Sequence, residues 1–98
     1  MREYTFLVPR LTHKERTQLV RIFGGFTAHD VTGGWLDNAL VVLEPMVFVT
    51  VALEPTRANV DELLQYASQL ARGLGQKALY WKNPKGKVSI FDVTLGVT

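Results

Sequence analysis

An α+β sandwich in the order β-α-β-β-α-β, with one further strand closing the chain, is the fold class the sequence predicts. Three observations predict it. Two stretches, Tyr4 to Val8 and Leu40 to Leu53, carry apolar side chains in the period-two manner of strands. Val60, Leu63, Leu64, Ala67, Leu70, Ala71 and Leu74 recur at three and four residues, which is one face of a helix. Gly-, Asn- and Pro-containing punctuation divides these runs at Gly24-Gly25, Asp37-Asn38 and Asn83-Pro84-Lys85-Gly86.

In order along the chain, Tyr4, Phe6 and Val8 alternate with Glu3, Thr5 and Leu7, and Pro9 ends the first strand. Thr12-His13-Lys14-Glu15 has capping-box spacing, so a helix is expected from Thr12 to Phe23, with a solvated first half and its apolar residues in the second. Gly24 supplies a left-handed stop. Phe26 to Val31 reads as the second strand. Gly33-Gly34 fits either a tight turn or a bulge in a strand continuing to Leu36; the bulge is favoured, with Asp37-Asn38 as the hairpin turn. Leu40 to Leu53 is one long strand, bent or broken at Pro45. The second helix is capped by Thr56 or by Asn59 with Glu62 reciprocating, and Gly73 and Gly75 end it. Gln76 to Trp81 and Val88 to Leu95 are the last two strands.

This order resembles the ferredoxin-like sandwich, with a single domain over 1–98. Right-handed crossovers would place both helices on one face of an antiparallel sheet. The composition, 47% hydrophobic and 20% charged, is globular. Eleven basic against nine acidic residues leave a net charge of +2, too small an excess to argue for nucleic acid. Cysteine is absent, which removes disulfides, thiolate metal sites and a catalytic thiol, and fits a reducing cytoplasm. Neither a signal peptide nor a membrane span is expected.

A sheet covered by helices on one face alone should turn polar on the other. Here strand three offers Val47, Val49, Val51 and Leu53 on one side and Met46, Phe48 and Ala52 on the other. Strand four offers Leu79 and Trp81 against Ala78 and Tyr80. The surplus apolar surface leads to an expected homodimer through the helix-free face. The alternative is self-covering by the last hairpin or by the Leu36–Leu43 segment.

The chemistry-bearing residues are sparse. His29 and Asp30, as strand neighbours, point to opposite faces and form no dyad. His13 belongs to an exposed first helical turn. Thr12, Ser68 and Ser89 sit in no nucleophile elbow. The two Gly pairs lack the phosphate-loop patterns. No metal-ligand spacing and no cofactor motif is present. Trp35, next to Gly34, can line a groove or pack across the hairpin. Glu44 is an acid inside an apolar strand; pointing inward, it would need Arg10 or Arg57 as partner. Trp35, His29, Phe48, Tyr80, Trp81 and Glu44 are therefore the candidate ligand- or partner-binding residues, with Lys82, Lys85 and Lys87 as a basic tip.

At Gly24-Gly25-Phe26-Thr27, Gly34-Trp35, Glu44-Pro45 and Leu74-Gly75-Gln76 the chain resembles a loose group of small bacterial and phage proteins. The resemblance implies a phage or prophage setting and carries no activity. The resulting expectation is a non-enzymatic interaction protein, a homodimer acting on a protein partner such as a host enzyme or defence component. Two alternatives stand beside it. One is a monooxygenase-like, ligand-binding dimer with a pocket between sheet and helices, using Trp35, His29, Tyr80 and Phe48. The other is weak RNA binding through the lysine tip.

Overall fold

The computed structural model describes residues 1–94. Its order is β1 (Arg2–Val8), α1 (His13–Phe23), β2 (Thr27–Asp37), β3 (Leu40–Leu53), α2 (Arg57–Gly73), β4 (Ala78–Lys82) and β5 (Val88–Asp92). Among the described residues the five strands form one sheet, β2-β3-β1-β4-β5, with every neighbouring pair antiparallel. This is the ferredoxin-like arrangement with a fifth strand beside β4. The expected β5 ran to Leu95, a position outside the described residues.

Local chemistry explains the helix ends. The Thr12 hydroxyl accepts from the Glu15 amide, and the Glu15 carboxylate accepts from the Thr12 amide at 2.8 Å, a complete capping box. Gly24 closes α1 at φ 88°. Thr56, not Asn59, caps α2 by accepting from the Asn59 amide at 3.2 Å; the Asn59 side chain instead donates to the Glu54 carbonyl. The two helices are joined where Tyr66 Oη donates to the Glu15 carbonyl and to Gln18 Oε1, at 3.4 and 3.1 Å.

Both helices cover one sheet face. Leu19 of α1 and Leu63, Ala67 and Ala71 of α2 join Tyr4, Phe6, Val8, Val47, Val49, Val51, Leu79 and Trp81 in a single core. In α1 only Leu19 is fully buried. Val20 and Ile22, in the apolar second half of the helix, are about half exposed because they sit on its outer side.

Two expectations about β2 and β3 are corrected. There is no bulge at Gly33-Gly34: the ladder runs without interruption from Thr27 opposite Thr50 to Asp37 opposite Leu40. The glycines answer a different need. A methyl group on Gly33 would come within 3.0 Å of Met46 Cγ, and one on Gly34 within 3.0 Å of Leu43 Cδ2, so cross-strand side chains lie over the bare backbone on both faces. Pro45 neither bends nor breaks β3, which runs unbroken through it. Pairing with β1 stops at Val8 opposite Val47, so Pro45 sits where β3 has only one neighbour and a missing amide is tolerated.

The turn is Asn38-Ala39, with φ of 50° and 69°, both positive as a tight two-residue hairpin requires. Beyond Met46, β2 and β3 leave the sandwich as a two-stranded ribbon, and the long axis reaches 42 Å against 27 and 26 Å. On it Leu36, Leu40, Val41 and Leu43 are 68–72% exposed. Neither expected self-covering occurs: β5 widens the sheet, and the Leu36–Leu43 segment projects away from it. No helix among the described residues is long and apolar enough to cross a membrane.

Candidate functional site

Strand register sorts the candidate residues by face. His29 pairs with Phe48, Phe48 with Leu7, Leu7 with Tyr80 and Tyr80 with Ile90, so one row crosses all five strands on the helix-free face. Within it the Phe48 and Tyr80 rings meet edge to face at 5.8 Å. The adjacent row is polar: Thr27, Thr50, Thr5, Lys82, then Val88. Here Thr5 and Thr50 share a hydrogen bond of 2.9 Å between their hydroxyls.

Glu44 lies on the same face, opposite Gly33, and Trp35 follows one pair further out. Together with Leu7, Met46 and Lys77 they line a groove of about 550 Å³ between the base of the ribbon and the start of β4. That size suits a small-molecule ligand. Glu44 is half-buried and has no ion-pair partner among the described residues, neither Arg10 nor Arg57. Trp35 is 45% exposed, its indole unspent on the core. The groove therefore offers one free carboxylate, one ammonium and an aromatic-apolar floor.

Five of the six candidate residues thus share the helix-free face, and two of them, Trp35 and Glu44, share the groove. Trp81 does not belong with them. It faces the helices, is 5% exposed and packs against Tyr4 with ring centroids 5.7 Å apart, because strand neighbours of Tyr80 must point the other way. His29 is exposed on edge strand β2 and occupies no buried apolar pocket. The residues named for the monooxygenase-like alternative, Trp35, His29, Tyr80 and Phe48, lie on the helix-free face and so do not line a pocket between sheet and helices. The lysines also separate: Lys82 is on the helix-free face, while Lys85 and Lys87 are at the β4–β5 turn. Lys77 escapes sequence reasoning. It precedes β4, and only the pairing of β4 with β1 brings it to the groove that Leu7 also lines.

No family model matches the chain, and a search of curated proteins finds no match either. Two solved structures share its fold. A phage SAM lyase in its apo state superposes with a TM-score of 0.62 at 12% identity, covering 92% of this chain and 87% of the other. A phage SAM lyase in complex with S-methyl-5'-thioadenosine gives 0.60 at 13% identity, covering 92% and 88%. At such identity the likeness is one of fold. It still overturns the expectation of a non-enzymatic interaction protein acting on a protein partner: the two structures just described, matched over most of both chains, are of an enzyme.

Proposed function

We propose that this chain is an enzyme of a phage setting that binds SAM in the groove at the base of the ribbon and cleaves a carbon–sulfur bond. The observation that carries the reading is the fold shared, over nine-tenths of both chains or close to it, with a lyase holding S-methyl-5'-thioadenosine. That thioether is SAM without its four-carbon amino acid. Cleavage sends the bonding electron pair to sulfur while the substrate's own carboxylate oxygen bonds to the carbon that sulfur leaves, so a sulfonium cation becomes a neutral thioether and the four-carbon amino acid departs as a cyclic ester.

This charge change assigns roles to the groove. A carboxylate against the sulfonium would stabilise the substrate more than the transition state, in which the positive charge is fading. Leu7 and Met46 are the better surroundings for the sulfur, since an apolar lining disfavours the cation that the reaction removes, and Trp35 offers its ring to the adenine. Glu44 and Lys77 then hold the zwitterionic amino-acid end, Glu44 its ammonium and Lys77 its carboxylate.

Incubation of the purified protein with SAM, followed by mass spectrometry, should show S-methyl-5'-thioadenosine accumulating. Glu44→Gln should lower kcat/KM at least about tenfold, a loss of roughly 1.4 kcal/mol, with unfolding unchanged. No product above the protein-free blank, together with no calorimetric binding of S-methyl-5'-thioadenosine, would remove the proposal.

A second copy of the chain is the partner we propose for the helix-free face. The support is the face itself, where Trp35, Leu40, Val88 and Ile90 stand exposed beside the Phe48–Tyr80 pair. Native mass spectrometry at micromolar concentration should give an assembly. A monomer there would count against it.

A further inference from the structure

We propose a second ligand site, on the helix side and at the opposite end of β1, that takes a small planar aromatic anion. A groove of about 480 Å³ opens there between the start of β1, the β3–α2 connection, the end of β4 and the β4–β5 turn. Its floor is the Tyr4–Trp81 ring pair, and its walls are Pro55, Val60 and Pro84. Two prolines and two rings held in the core leave little side-chain freedom to lose on binding, which favours a flat, rigid ligand.

The rim sets the charge. Arg2 and Lys85 line the groove, both are exposed, and neither has a carboxylate partner among the described residues. The acids next to the lining residues face other cations: Glu54 lies 3.9 Å from the Met1 ammonium and Asp61 3.7 Å from Arg57. Lys85 is also held in place. Asn83 Oδ1 accepts from the Lys85 and Lys87 amides at 3.0 and 2.9 Å, and the Gly86 amide donates to the Asn83 carbonyl at 2.9 Å, with Gly86 at φ 82°. A fixed turn thus presents one cation and β1 presents the other, over an aromatic floor. No acid lines this groove, so a sulfonium nucleoside gains nothing from it, unlike the groove holding Glu44.

The test uses Trp81 as its own reporter. In Trp35→Phe protein, Trp81 is the sole indole. Titration with 8-anilino-1-naphthalenesulfonate should quench its emission saturably. Adding Arg2→Glu and Lys85→Glu should weaken that binding at least about tenfold, as loss of complementary charge does. Retained blue-shifted Trp81 emission before titration would show the fold intact. Quenching as tight after charge reversal, or as tight with the uncharged N-phenyl-1-naphthylamine, would overturn the proposal. Displacement by adenosine 5'-monophosphate marks a nucleotide as the source of the anion, and displacement by salicylate marks an aromatic acid.

Discussion

The two halves of β3 have nearly the same chemistry and opposite fates. From Val47 to Leu53 the inward residues are sealed under α1 and α2 and flanked by β1. From Leu40 to Leu43 the same leucines and valines stand in the open, with β2 alone beside them. Nothing in the strand itself makes the difference. Burial is conferred by what lies beside and beneath it, and that ends where β1 ends, at Val8. The body of the molecule therefore has a sealed core on its helix side, whereas the ribbon has none and displays apolar surface still to be covered. The candidate groove sits at the seam between them.

The largest test of this contrast is truncation. Phe6→Ala, in the centre of the body, should cost about 3–5 kcal/mol in urea unfolding. Leu43→Ala, on the ribbon, should cost under about 0.5 kcal/mol in the isolated chain. Similar losses would mean the ribbon is part of the cooperative body after all. A smaller effect sharpens the ribbon alone. Ala39 is held at φ 69°, a conformation unfavourable for a residue with a Cβ, so Ala39→Gly should raise stability by about 0.5–1 kcal/mol. A fall in the urea midpoint would show that the turn is not strained there.

The smallest effect concerns the body and pH. Burial first, and the Glu15 charge second, hold the Tyr66 hydroxyl above its ordinary value of 10.0. The folded state keeps a proton that the unfolded chain releases. The stability this confers is whole below the unfolded-state value and is lost as pH rises through the folded-state one. Tyr66→Phe should accordingly flatten the alkaline decline in melting temperature. An unchanged alkaline slope would assign that decline to other groups.

Much of this was legible in the residues. The Thr12–Glu15 box, the Gly24 stop, the heptad-like run of α2 and the surplus apolar face all rest on local spacing, and each stands in the structure. What failed needed partners from elsewhere in the chain. The purpose of Gly33-Gly34 depends on Met46 and Leu43, which reach over it from the facing strand. Membership of Lys77 in the groove depends on the offset between β1 and β4. Trp81 is a different kind of error, because alternation with Tyr80 already placed the two on opposite faces. An enzyme was only the alternative in the sequence reading, since Trp35, Glu44 and Lys77 make no nucleophile, metal set or histidine pair that announces a particular chemistry.

The position of β1 in the middle of the sheet has a consequence for how the chain assembles. It is synthesised first, yet its neighbours are Val47–Leu53 on one side and Tyr80–Lys82 on the other. β2 and β3, joined by two residues, can pair as soon as they emerge. The first strand must wait, exposed, for a hairpin made after it and then for a strand near the chain's end. Such distant pairing slows folding and lengthens the time that apolar edges are open to other chains. The hairpin that ends as a projecting arm is thus also the earliest fixed template, onto which the oldest segment is later fitted.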